Sequence, residues 1–132
     1  MSIAPVVLKP ACIKTLSQVE VNLNKSNQHE FNGVAPLKDV FGLARLEKIP
    51  TIFSIRGAAG STTAWMTWYD AREDHPTRSE HRLYFPTNNI MSQAHAGDNV
   101  LIGYDNRNSL HCILIPSGTP GYAPVTGWTP VP

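Results

Sequence analysis

Three arginines, two histidines and four acids fall within the fourteen residues Tyr69–Arg82, which read YDAREDHPTRSEHR. Arginine presents a planar fork that can bond guanine O6 and N7 together, while a carboxylate can accept from cytosine N4. In an extended segment alternate residues share a side, so Arg78, Glu80 and Arg82 form a row of fork, acid and fork. Such a row suits G·C pairs in a major groove, and its acid penalises indiscriminate phosphate binding. Thr77 and Ser79 flank Arg78 with small hydroxyls suited to phosphate oxygens. The plainer alternative is a solvated loop with internal ion pairs. Against it, the segment is longer and more charged than most hairpin loops. A second polar stretch, Asn22–His29, offers Lys25, Ser26, Asn27, Gln28 and His29. Asn and Gln can bond adenine bidentately, yet the same composition also makes an ordinary turn.

Other chemistries find less support. A metal-dependent nuclease site needs clustered carboxylates with a lysine to activate water. The chain has no Pro-Asp followed by Glu-x-Lys, and Glu47-Lys48 lacks that spacing, so this chain is expected not to be an enzyme by itself. His29, His75, His81, His111 and Cys112 show neither C-x-x-C nor H-E-x-x-H spacing. No metal site and no cofactor are expected, and Cys112 reads as a small core residue. Ser61, Thr62 and Thr63 follow Gly57-Ala58-Ala59-Gly60 without forming a G-x-S-x-G elbow or a phosphate loop.

The elements that must position these groups are mostly strands. Short β-rich runs at Thr51–Arg56, Thr63–Asp70, Glu80–Phe85, Asn99–Tyr104 and Ser109–Ile115 are bounded by Gly, Pro, Asn or Asp. The last two flank Asp105-Asn106-Arg107-Asn108 and predict a hairpin. Val19, Val21 and Leu23 alternate with polar residues and predict another strand. Trp65, Thr67 and Tyr69 share one strand face, Met66 and Trp68 the other, so one set is expected inside. An exposed tryptophan would instead suit stacking on an unpaired base. Leu37, Val40, Phe41 and Ala44 form an apolar stripe that predicts a helix within Pro36–Lys48, stopped by Pro50. Asn88–His95 reads as a second short helix opened by an Asn cap. These elements predict a mainly β, closed or half-closed barrel of six or seven strands with two short helices as plugs.

The whole chain bounds this reading. Its 132 residues fit one domain, and 42% hydrophobic content permits a core. Eleven basic against ten acidic residues leave a net charge of +1, too little to draw the whole molecule to an anion. No membrane span and no signal-peptide pattern are present. Two cysteines are too few for a disulfide scaffold, which predicts a reducing cytoplasm. From Pro116 the sequence PSGTPGYAPVTGWTPVP carries five prolines, three glycines and no charge. Residues 1–117 are therefore expected as the domain and 118–132 as a tail or linker, partly docked through Tyr122 and Trp128.

Tyr69-Asp70-Ala71-Arg72, four residues, then Thr77-Arg78-Ser79-Glu80-x-Arg82 resembles a run in the amino-terminal DNA-binding domain of EcoRII-type restriction endonucleases. There it reads Tyr-Asn-Ser-Arg, the same gap, then Thr-Arg-Asn-Glu-Lys-Arg. Ile13-Lys14-x-Leu16-Ser17 is similar to that family's Ile-Lys-Arg-Leu-Ser, and the likeness spans most of residues 12–118. The resemblance implies a seven-stranded B-three-like DNA-binding pseudobarrel whose two arms embrace the major groove of double-stranded DNA. It implies a CCWGG-like target (W is A or T), a monomer, and a C-terminal nuclease domain in the full-length protein. Arg78, Glu80 and Arg82 then look like contacts of the second arm, with Thr77, Ser79 and His81 as contacts beside them, Arg72 like a supporting contact, and Lys25–His29 like the first arm. Pro76 and His81 stand where the family has Lys, so either phosphate affinity is lower here or the charge is supplied elsewhere, for example by Lys14 or Lys25. The rival reading is a β-rich protein-interaction module whose aromatic tail docks a partner, or a single-strand or RNA-binding module.

Overall fold

The computed structural model describes residues 7–21, 30–58, 60–74, 76–77 and 79–131. In chain order the elements are β1 (Ala11–Thr15), α1 (Gln18–Val21), β2 (Glu30–Asn32), α2 (Ala35–Phe41), β3 (Leu46–Ile55) and β4 (Ser61–Asp70). They continue with β5 (His81–Tyr84), a 3-10 turn (Met91–Gln93), β6 (Asn99–Tyr104), β7 (Leu110–Ile115) and β8 (Thr129–Val131). The strands form one curled sheet, a half-barrel, in the order β2-β5-β4-β3-β7-β6-β1-β8. Every neighbouring pair is antiparallel except β3 with β7.

Period-two alternation places one residue set of each strand inside the curl. Cys12, Phe53, Met66, Trp68, Leu83, Ile102 and Leu114 meet there, joined by Leu37, Val40 and Phe41 of α2. Phe41 stacks on Trp68 at 5.2 Å, and the buried indole Nε1 donates to the Gly42 carbonyl at 3.0 Å. The edge strands are β2 and β8. Phe31 of β2 meets Trp128, just ahead of β8, edge-on at 5.3 Å. An aromatic contact thus links the two ends of the sheet.

A second apolar cluster lies on the outer face of β1, β6 and β7. Leu8, Ala11, Leu101, Ile113 and Ile115 are covered there by Tyr122 and Val131. The tail is fastened by β8 on β1, by the Tyr122 hydroxyl donating to the Gly97 carbonyl, and by Asn99 Nδ2 donating to the Ala123 carbonyl at 2.9 Å. The expected linker is therefore largely a structural part of the domain, and among the described residues the sheet has eight strands rather than seven.

Four further expectations are corrected. Residues 18–21 form α1 rather than a strand, with Val21 packing on the core; the rest of the expected Val19–Leu23 strand lies outside the described residues. The helix expected over Pro36–Lys48 ends at Phe41, because Gly42 takes φ 82° and turns the chain. Pro50 does not stop an element but sits within β3. It is tolerated because β7 pairs with β3 only from Thr51 onward, so one side of the strand is open at Pro50. The helix expected at Asn88–His95 is a single 3-10 turn, where Asn88 Oδ1 still accepts from the amides of Ile90 (3.1 Å) and Met91 (2.9 Å). Among the described residues no helix is long and apolar enough to cross a membrane.

Candidate nucleic-acid interface

The ends of the arginine-rich segment are a β stem. Tyr69 faces Arg82 and Asp70 faces His81 across β4 and β5, and the Ala71 amide donates to the Glu80 carbonyl at 2.7 Å. Asp70 closes the loop: its Oδ1 accepts from the amides of Glu80 (2.8 Å) and Arg72 (2.9 Å). These two bonds, Glu80's first, hold the Asp70 carboxyl below its ordinary range. Asp70 is thus a clamp, and the loop leaves the sheet from a rigid base.

Alternation along β5 turns Arg82 outward, and carboxylates fix it there. Its Nη2 lies 2.9 Å from Glu80 Oε2 and its Nη1 3.3 Å from Glu30 Oε1. Arg72 Nε approaches the same Glu80 oxygen at 3.9 Å. Hydrogen bonding to Glu80, then to Glu30, raises the Arg82 guanidinium further above its ordinary value. Tyr69 donates its hydroxyl to Glu30 Oε2; burial first and that bond second push its pKa up to about 12.

Arg72, Glu80 and Arg82 are therefore brought together, with Thr77 and Ser79 exposed on the loop beside them. Arg78 and the first arm, Lys25, Ser26, Asn27, Gln28 and His29, lie outside the described residues. His81 is corrected from a contact to a core-facing residue, because in β5 it points opposite to Arg82. Only 6% exposed, it stacks on Trp68 at 5.0 Å, and its Nε2 donates to the Leu43 carbonyl at 2.9 Å. Gly33 must be glycine for this packing, since a Cβ there would come within 2.6 Å of His81 and Trp68. Lys14 sits on β1, separated from β5 by four intervening strands in the sheet order.

Sequence reasoning missed the neighbours of this network on the outer face of β4 and β5. Trp65 and Tyr84 pair at 5.6 Å. The Lys48 ammonium lies 5.5 Å above the Trp65 ring, and the Arg45 guanidinium 5.7 Å above Tyr69. Arg45 also binds Glu47 at 2.9 Å and Glu73 at 3.7 Å. All of these but Glu73 line an open cleft of about 410 Å³, with Glu30 and Thr67. The alternation of Trp65 with Trp68 is the one local signal for this face; Arg45 and Lys48 were hidden inside an expected helix. Charges on the face interleave, four cations (Arg45, Lys48, Arg72, Arg82) with four carboxylates (Glu30, Glu47, Glu73, Glu80). Among the described residues no group of three His, Cys, Asp or Glu side chains is placed to hold a metal ion. No protein family, curated protein or solved structure matches the chain.

Proposed function

We propose that this chain is a sequence-specific, double-stranded DNA-binding module that reads the major groove through the β4–β5 arm. The observation that carries the reading is the Arg72–Glu80–Arg82 network at the root of that arm. A guanidinium already positioned by carboxylates loses little freedom when it meets a guanine edge, so its directional bonds translate into discrimination. The interleaved acids keep the face from gripping phosphate alone, which favours base reading over general affinity. Together with the resemblance of Tyr69–Arg82 to EcoRII-type enzymes, this supports a B-three-like pseudobarrel acting as the recognition or effector module of a type II restriction endonuclease. The target is CCWGG-like, the module is monomeric in the bacterial cytoplasm, and cleavage belongs to a separate nuclease domain.

Selection of the chain against a randomised duplex library at physiological salt tests this reading. The expected outcome is enrichment of one short G·C-rich site. Glu80→Ala should bind random duplex more tightly while losing preference at a cytosine, because it frees two arginines and removes the acceptor. A library that enriches no sequence overturns the proposal in favour of a protein-interaction module.

A further inference from the structure

A feature of β3 is unexplained by duplex reading. Between Leu46 and Ile49 the ladder to β4 slips: Leu46 faces Trp68 and Ile49 faces Met66, so three steps on β3 match two on β4. The extra residue makes a bulge, and Lys48 within it adopts φ 47°, a left-handed conformation that non-glycine residues rarely take. The Lys48 amide is tied to Thr67 Oγ1 at 3.0 Å. Bulges re-aim side chains and concentrate beside functional sites. Backbone strain of this kind is retained where the surroundings demand it. Here the effect is to hold the Lys48 ammonium over the Trp65 ring.

We propose that the outer face of β4 and β5 binds an unpaired nucleotide, its base stacking on Trp65 and Tyr84 and its phosphate meeting Lys48 and Arg45. The ligand must present a flat π face, because the platform is two large rings on a sheet surface. An anion beside the base suits it, because the Lys48 ammonium overhangs Trp65 and the Arg45 guanidinium, shared with Glu47 and Glu73, overhangs Tyr69. A base joined to a phosphate satisfies both demands, and the cleft has the volume of a small-molecule site. On binding, the ammonium leaves the ring face for the phosphate and the base takes its place. The nucleotide can belong to a strand or be free. The inference does not rest on the duplex reading, since a cleft for an unpaired base needs no paired groove.

The test is quenching of tryptophan fluorescence in the full chain by a short oligothymidylate and, separately, by thymidine monophosphate. At least one probe is expected to quench saturably and in a salt-sensitive way. Trp65→Ala should abolish the quench, and Lys48→Gly should weaken binding about tenfold or more. Glycine is at ease at φ 47°, so Lys48→Gly should keep or raise the urea midpoint, separating lost binding from lost folding. Preference for the oligomer assigns a strand as ligand, and equal binding assigns a free nucleotide. No saturable quench, or a Lys48→Gly chain that binds like the parent, overturns the site. Failure of the duplex selection leaves this titration intact, so the two readings fail separately.

Discussion

The two halves of the sheet share one core but treat their outer faces in opposite ways. Over β1, β6 and β7 the outer residues are aliphatic, and the chain's own tail returns to cover them. Over β4 and β5 the outer residues are Trp65, Tyr69, Arg82 and Tyr84, half-buried, with exposed Arg45 and Lys48 above them. The covered face is a solved burial problem. The open face keeps large rings and paired charges at the surface, where aromatic and ionic groups gain most from an added partner. The difference leaves one outer face sealed by the chain itself and the other open, and the open face is the one the proposed recognition would use.

Removing residues 119–132 breaks the comparison most severely. It strips β8 and Tyr122 from Leu101, Ile113 and their neighbours, and should cost on the order of 5 kcal/mol of stability, read from urea unfolding. Because whole domains hold only about 5–15 kcal/mol, the truncated chain should be near unfolding at room temperature. For the proposed recognition, Arg78→Ala should cost about 1–3 kcal/mol on the selected duplex and much less on random DNA, with the urea midpoint unmoved. Equal losses on both duplexes would leave that arginine only a phosphate role.

Glu30→Gln should have a smaller effect, about 1 kcal/mol or less in stability, because the Arg82–Glu30 pair is only partly withdrawn from water. Its sharper readout is discrimination: releasing one edge of Arg82 should reduce preference for the selected site. The smallest effect concerns acid. Asp105, in the turn between β6 and β7, accepts from the Ser109 amide (3.0 Å), His111 Nε2 (2.8 Å) and the Arg107 amide (2.8 Å). These bonds, Ser109's first, bring its carboxyl down from 3.8 to about 2. A depressed carboxylate contributes stability that is full above its ordinary value and is lost as pH falls toward the folded one. The melting-temperature gap between parent and Asp105→Asn should therefore shrink between about pH 4 and pH 2.

Much of the covered half was legible residue by residue. The hairpin at Asn99–Tyr104 and Leu110–Ile115 follows from two apolar runs around an Asp-Asn turn, and Asp105 makes the turn bonds that composition predicted. The split of Trp65 from Trp68 likewise follows from alternation alone. The open half was less legible. Glu30 pairs with Arg82 across 52 positions, and no local pattern announces a carboxylate so far away. The helical stripe at Leu37–Phe41 was read too far because nothing in Ala44–Lys48 marks a bulged strand. The eighth strand was missed because its prolines argue against a sheet, yet an edge strand tolerates Pro130, whose missing donor breaks no ladder on its free side.

What the amino-acid order determined by itself was which side chains of each strand share a face, because period two is a property of the extended backbone. It also determined that an arginine-rich loop leaves the end of β4. Tertiary structure alone decided which outer face the tail would cover, which acids would hold Arg82, and that Lys48 would stand over Trp65. Those outcomes depend on strands meeting across long loops, where a one-residue slip in register changes every partner and no neighbouring residue records the choice.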